Sequence, residues 1–366
     1  MGAITAILRE FRTTPMLWFL LLVPVLFVYH SARPEDATTV FLLSVGAIIP
    51  LAVTLTRATE SVAAKTGDLV GGLMNATLGN LTELIISLAA LRAGQIVLVK
   101  ASIAGAIFTN TLFMLGASFL LGGLKNHTQR FNKENARLQS SLLFLASVAL
   151  VVPSIIATRG VDGSAAITGS LSIAIGVILM VTYALGLLFS LKTHKTDFAG
   201  EAGGHDEPVW PMRAALPVLA GVTVLIAMVS EVFIESVQEA SVELGLSAAF
   251  VGFIVVALVG AAAEMTAAFA AARKDRLDLS VGIALGSASQ IALFVAPLTL
   301  FLSYAIAPVP MDLVFWPGAV LMVLVATATT TMVTGGGKSA WFVGAILLAV
   351  YLVFASTLYL LPPRTG

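Results

Sequence analysis

The chain has 366 residues with a formal net charge of +0, and 58% of its residues are hydrophobic against 11% charged. Soluble domains carry roughly 25% charged residues, so an ordinary soluble protein is excluded, and a balanced charge gives no footprint for nucleic acid. There is no cysteine, which excludes a disulfide framework and thiol redox chemistry.

Apolar runs of about 20 residues recur along the chain, the signature of transmembrane helices. Eleven are predicted. In order they are about Pro15–Tyr29, Thr38–Lys65, Asp68–Leu91, Ile96–Leu121, Ser140–Ala157, Gly163–Leu191, Ala214–Glu239, Ser247–Ala272, Leu279–Ala305, Leu313–Val333 and Ala340–Leu361. Arg9 and Arg12 precede the first run, and no small-x-small cleavage site precedes Arg33. The first run is therefore expected to be retained rather than removed as a signal peptide. A polar stretch, Lys125 to Gln139, follows the fourth run. The longest polar linker, Lys192 to Arg213, carries His194, His205, Gly203 and Gly204 with the acids Asp197, Glu201, Asp206 and Glu207. It is expected to be a solvated tether. With the N-terminus inside, fifteen of the 20 Lys and Arg residues fall on the cytoplasmic side. That satisfies the positive-inside rule and puts the C-terminus outside. The compact chain is expected in a bacterial inner (plasma) membrane.

The third run contains Gly79-Asn-Leu-Thr-Glu83, and the eighth contains Gly260-Ala-Ala-Ala-Glu264. An offset of 181 residues carries Gly79 to Gly260, Glu83 to Glu264 and Arg92 to Arg273, and then Gly105 to Gly286, Leu112 to Leu293 and Phe113 to Phe294. The two copies are five spans apart, so they cross the membrane in opposite directions. Inverted repeats are a hallmark of secondary transporters, with the site where the repeats meet near the midplane. The expected fold is an all-α membrane protein of about 11 transmembrane helices, with two inverted-topology five-helix repeats plus one extra N-terminal helix. Residues 1–36 form the tail and first helix, 37–191 the first repeat, 192–212 the cytoplasmic linker and 213–366 the second repeat.

Glu83 and Glu264 each precede an arginine by nine residues. That is roughly 13 Å along a helix, close to half of a hydrocarbon core about 30 Å thick. A carboxylate at that depth is costly unless it is paired, protonated or facing a wet cavity. A single such acid would be ambiguous between structure and function; two at matched depth in an inverted repeat point to an ion site. Around Glu83, Gly79, Asn80 and Ser87 share its helical face. In the second copy the same positions are Gly260, Ala261 and Ala268, which leave room for a local break that frees backbone carbonyls. The fourth and ninth runs add Gly105, Asn110, Gly286, Ser287 and Gln290; the amides and the hydroxyl are candidate ligands, with interhelical hydrogen bonding as the alternative. Glu231, Glu235 and Glu239 form an acidic stripe, either along an ion path or at a solvated helix end. All these ligands are hard oxygens. They suit Ca2+ or another hard cation, and no cysteine or histidine pair in the spans suggests a softer metal.

These residues resemble the cation/proton exchanger branch of the calcium/cation antiporter superfamily. Gly79-Asn-Leu-Thr-Glu-Leu-Ile-Ile-Ser87 is similar to that family's Gly-Asn-Ala-Thr-Glu-Leu-Ile-Ile-Ser. Gly286-Ser-Ala-Ser-Gln-Ile-Ala-Leu-Phe-Val-Ala-Pro297 and Ser230-Glu-Val-Phe-Ile-Glu-Ser-Val-Gln-Glu239 are similar to its counterparts. The resemblance covers the second to eleventh runs. It implies an eleven-helix exchanger with Glu83 and Glu264 as central cation and proton carriers. One motif departs: the family's Gly-Asn-Ala-Ala-Glu-His is here Gly260-Ala-Ala-Ala-Glu-Met265, which removes an oxygen ligand and a titrating group and bears on selectivity. Neither motif has the proline that usually precedes the glutamate in the sodium/calcium branch, which argues against Na+ as the driving ion.

The implied function is antiport of Ca2+ or a related cation against H+ by alternating access, with no cofactor. Its partners are the lipid bilayer, the cation and protons. Na+, K+ or Mn2+ as the cation, and a passive channel, remain alternatives. No His-Glu-x-x-His is present, so an intramembrane enzyme of that kind is not expected.

Overall fold

The computed structural model describes residues 15–158, 164–194 and 210–363. Arg9, Arg12, Arg159, Lys195, Asp197, Glu201, Gly203, Gly204, His205, Asp206, Glu207 and Arg364 lie outside the described residues. Among the described residues, nine helices are long and apolar enough to cross a membrane, and two bent pairs, each counted as one span, bring the number to 11. In chain order they are α1 (Pro15–Ala32), α2 (Ala37–Ala63), α3a (Asp68–Leu78) with α3b (Leu81–Arg92), α4 (Ile96–Asn126), α5 (Lys133–Thr158), α6 (Ser164–Leu188), α7 (Met212–Glu243), α8a (Ala248–Gly260) with α8b (Ala262–Arg273), α9 (Leu277–Ile306), α10 (Pro317–Thr334) and α11 (Trp341–Leu360).

Several boundaries differ from the sequence reading, each for a local reason. α5 starts at Lys133, not Ser140, because the Asn132 side chain accepts from the Glu134 and Asn135 amides, each at 3.0 Å, and caps a polar first turn. α10 starts at Pro317, not Leu313. The apolar residues before it form a loop tucked into the bundle. Leu313 and Phe315 are buried there, and their amides donate to the Ser172 and Ser154 hydroxyls at 3.0 and 2.9 Å. Within the polar stretch after α4, β1 (Thr128–Arg130) pairs antiparallel with β2 (Lys338–Ala340), with Gln129 opposite Ser339.

The inverted repeat is visible at the helix ends. α3b ends at Arg92, which meets Glu231 at 3.1 Å. α8b ends on the opposite face, where Lys125 Nζ donates to the Arg273 carbonyl at 3.2 Å. α4 and α9 are the most buried of the single spans. α4 lies so close to α8a that a Cβ at Gly105 would collide with the Phe253 carbonyl. Close backbone approach at a small residue is how helices associate without a hydrophobic driving force in lipid. α2 and α7, the long first helices of the two repeats, lie along each other, with Phe41 stacked on Phe233 at 5.4 Å. α1, α6 and α11 expose large apolar side chains such as Trp18, Ile178 and Leu352, as a lipid-facing surface requires.

Candidate ion-binding site

Two bends build the site. α3a and α3b meet at 42° across Gly79 and Asn80, and α8a and α8b meet at 58° across Ala261. Among the described residues, no backbone hydrogen bond joins the Ala76–Gly79 carbonyls to the amides that would follow them in a continuous helix. Glu83 and Glu264 therefore fall in the first turns of new helices, α3b and α8b. Those ends carry free amides and the positive end of the helix dipole, which favours a negative group there.

The two halves interlock. A Cβ on Gly260 would lie 2.9 Å from Glu83 Cγ and 3.1 Å from Glu83 Oε1, so only glycine lets the Glu83 side chain lie against α8a. Gly79 does the same for α9, with its Cβ position 3.3 Å from Gln290 Oε1. Glu264 lies beside Ser287 and near enough to Glu83 for the two charges to act on each other. Neither acid forms an ion pair among the described residues. A small cavity opens beside Glu83, lined by Ser87, Ser102 and Ala106 on one side and by Val256, Ala257 and Ile291 on the other.

A hydrogen-bond chain ties the spans together. Asn110 Nδ2 donates to Ser287 Oγ at 2.9 Å, Ser287 Oγ donates to Asn80 Oδ1 at 2.8 Å, and Asn80 Nδ2 donates to Gln290 Oε1 at 2.6 Å. Four buried oxygens of the same region have no hydrogen-bond partner: Glu83 Oε1, Glu264 Oε2, Asn110 Oδ1 and Thr109 Oγ1. Leaving a buried acceptor unsatisfied costs about 1–3 kcal/mol, more when it is charged. Among the described residues no three His, Asp or Glu side chains gather to hold a metal ion. A cation here would have to recruit amide, hydroxyl and carbonyl oxygens beside the two carboxylates. That set is all hard oxygen and fits Ca2+ chemistry.

The sodium/calcium exchanger protein family profile matches residues 37–192 and 214–360. The chain belongs to this family. Among curated members, the Ca2+/H+ antiporter of Aphanothece halophytica is 36% identical over 97% of this chain and 99% of its own length. The Ca2+/H+ antiporter ChaA of Bacillus subtilis is 39% identical over 86% of this chain and 90% of its own. The solved structure of native YfkE superposes with a TM-score of 0.81 at 34% identity, covering 94% of this chain and 100% of that one.

Seen as an exchanger-family member, the chain has a lopsided site. The offset of 181 pairs Asn80 with Ala261 and Thr109 with Gln290. Asn80 bonds Gln290; the mirror contact would run from residue 261 to Thr109, and Ala261 has no polar side chain to make it. Thr109 Oγ1 is left idle, and Asn110 Oδ1 beside it is idle too. The glycines separate too. Gly79, Gly105 and Gly260 each make a close approach, whereas a Cβ on Gly286 would meet nothing within 4 Å, so Gly286 is not a packing contact. The acidic stripe stays outside the hydrogen-bonded chain. Glu231 pairs with Arg92, and Glu235 lies 3.6 Å from His30 on α1, at a solvent-exposed surface with Glu239. Ser102 and Tyr183 were missed by the sequence reading. Ser102 lies in the fourth apolar run without a motif to mark it, and Tyr183 sits in an otherwise apolar helix.

Proposed function

We propose that the chain is a secondary antiporter that exchanges Ca2+ for H+, with Glu83 and Glu264 as the shared cation and proton site and Asn80, Asn110, Ser287 and Gln290 supplying or positioning further oxygens. The observation that carries this reading is the meeting of two unpaired carboxylates at two helix breaks, with idle oxygens around them. A carboxylate in a low-dielectric site favours its neutral form unless an opposite charge is near. The pair can shed its charge by taking protons or by binding a divalent cation. Cation and proton then compete for the same atoms, and an empty, doubly charged site resists reorientation. That competition is what couples the two fluxes.

Access follows from exposure. α3a and α8b carry exposed residues along their length, among them Asn75 and Thr266, whereas α3b and α8a have no exposed residue short of Arg92 and Ala248 at their outer ends. The site in this state is reached from the Arg273 face. By the positive-inside rule that face is cytoplasmic, in a bacterial inner membrane, with the N-terminus inside and the C-terminus outside. The repeats run over 37–191 and 213–366, joined by a cytoplasmic linker at 192–212, with residues 1–36 as an addition. The missing amide and imidazole at Ala261 and Met265 favour a second reading of the cargo, in which the same mechanism carries another cation such as Na+, K+ or Mn2+.

The test is Ca2+ uptake into proteoliposomes with an acid interior, beside Glu83→Gln and Glu264→Gln. Uptake that collapses with a protonophore mixture and in either variant supports the assignment. Full exchange by Glu83→Gln would sink it. Uptake of another cation under the same gradient reassigns the cargo, and uptake indifferent to the pH gradient means a channel.

A further inference from the structure

The break in α3 leaves the Ala76 carbonyl without its helical amide, and a tyrosine from another helix takes it. The Tyr183 hydroxyl on α6 donates to the Ala76 carbonyl at 2.7 Å. Tyr183 is buried, and its ring stacks on Phe294 of α9 with centroids 5.5 Å apart. A mirror arrangement exists in the other repeat. Tyr351 of α11 is buried and packs on Phe113 of α4 at 5.2 Å. Phe113 and Phe294 are equivalent under the offset of 181, and the same offset carries Ala76 to Ala257. Ala257 lines the cavity beside Glu83.

The two tyrosines differ in what their hydroxyls do. The Tyr351 hydroxyl is buried without a hydrogen-bond partner; the Thr109 hydroxyl lies beside it but not in bonding geometry. The Ala257 carbonyl instead accepts from the Ala261 amide at 3.2 Å. So the break on the exposed α3a side is held by a tyrosine, and the break on the buried α8a side is not. An idle buried hydroxyl is costly, and it suits a group whose partner belongs to another conformation.

We propose that Tyr183 and Tyr351 are paired positioning residues that act in turn: Tyr183 holds the α3 break through the Ala76 carbonyl in the state open to the Arg273 face, and Tyr351 holds the α8 break through the Ala257 carbonyl in the state open to the Arg92 face. This rests on the exchange reading, since it assigns each tyrosine to one of two access states. Exchanging the two bonds adds a directional term to the reorientation without placing either tyrosine on the cation.

The chain has no cysteine, so a single introduced thiol reports access. Val256 is buried and lines the cavity. In a Val256→Cys background, labelling by an impermeant maleimide added at the Arg92 face measures the fraction of molecules open there. Tyr183→Phe removes one hydrogen bond from the state seen here and should raise the labelling rate about fivefold. Tyr351→Phe should lower it by a similar factor. In proteoliposomes without the cysteine, the ratio of half-saturating Ca2+ on the two faces should shift about fivefold in opposite directions for the two variants. A merely structural role would move both faces together. Unchanged labelling, or a shift in the same direction for both variants, overturns the proposal. Absence of Ca2+/H+ exchange in the unmodified chain would refute the exchange reading instead, and the labelling rates would still decide the tyrosine pair.

Discussion

Replacing Gly260 by alanine puts a methyl carbon 2.9 Å from Glu83 Cγ, 3.1 Å from its Oε1 and 3.2 Å from its Cδ. Carbon atoms pack at about 3.5–4.0 Å, so the Glu83 side chain must withdraw by roughly 0.5–1 Å. Every atom in conflict is the far end of one flexible side chain, so the fold should survive. A cation site is less forgiving. Ca2+ holds oxygen at about 2.3–2.6 Å, and a misplacement of about 1 Å at a reacting group can cost on the order of 100-fold. Gly260→Ala is expected to raise half-saturating Ca2+ by about 10- to 100-fold at normal protein yield and melting temperature. Two other glycines bracket the result. Gly286→Ala meets nothing within 4 Å; it should transport as the unmodified chain does and gain about 0.5–1 kcal/mol from lower backbone entropy. Gly105→Ala collides with the Phe253 backbone and should fail to fold. The assay is Ca2+-dependent proton release in proteoliposomes, with thermal melting of the same preparations. Unaltered Ca2+ dependence in Gly260→Ala, or normal folding of Gly105→Ala, would refute the geometry on which the site rests.

Ala261→Asn restores the amide that the second break lacks. If its side chain reaches the idle Thr109 and Asn110 oxygens, half-saturating Ca2+ should change several-fold, read in the same proton-release assay, whereas Ala261→Leu, which adds bulk and no polar atom, should only lose activity. Asp36 caps α2 by accepting from the Thr39 amide at 3.1 Å. The Tyr29 hydroxyl, and then the Thr39 contacts, hold its carboxyl below the usual carboxylate range. A depressed value means that its stabilisation is present above that range and is lost as pH falls through the depressed value. The melting difference between Asp36→Ala and the unmodified chain should therefore hold from neutral pH to about pH 5 and shrink in stronger acid. Lys100 is mostly buried and pairs with Asp312 while donating to the Val314 carbonyl at 2.8 Å. With Asp312 39% exposed, Lys100→Met should cost about 2 kcal/mol, measured as a fall in melting temperature with Ca2+ dependence retained.

The repeat was legible because its register is kept without a gap from Gly79 to Phe113, and the acids stood out because nothing else charged lies near them in sequence. The break positions were legible in part. Gly79 and Gly260 mark them, but the second bend centres on Ala261, and alanine is a good helix former; the bend there is imposed by packing, not by local propensity. The hydrogen-bonded chain through Asn110, Ser287, Asn80 and Gln290 joins residues up to 210 positions apart. No periodicity encodes such contacts. Tyr183 was hidden for a different reason. It and Tyr351 differ by 168 positions, not 181, because α5 is longer than α10 and Tyr183 sits further along its helix than Tyr351 does, so an in-register comparison of the repeats passes over the pair.

The asymmetry between the halves bears on how the site works. An inverted repeat with identical halves would give equivalent inward and outward sites, and no direction would be favoured by the protein itself. Here the first break has an amide, a hydrogen-bonded partner helix and a tyrosine on its freed carbonyl, while the second has alanine, idle oxygens and a tyrosine without a partner. The half built on Asn80 is therefore the better-organised one in this state. A cation has most to gain where Glu264 Oε2 of the second repeat and Asn110 Oδ1 and Thr109 Oγ1 of the first are already desolvated and unsatisfied. Desolvation of those oxygens is a cost already met by folding, so a cation that reaches them recovers interaction energy without stripping more water from the protein. On this argument the Asn80–Gln290 contact fixes the geometry of the site and the idle oxygens supply its affinity, so selectivity among hard cations should respond more to substitutions at Ala261, Thr109 and Met265 than to changes at their repeat equivalents Asn80, Gln290 and Leu84.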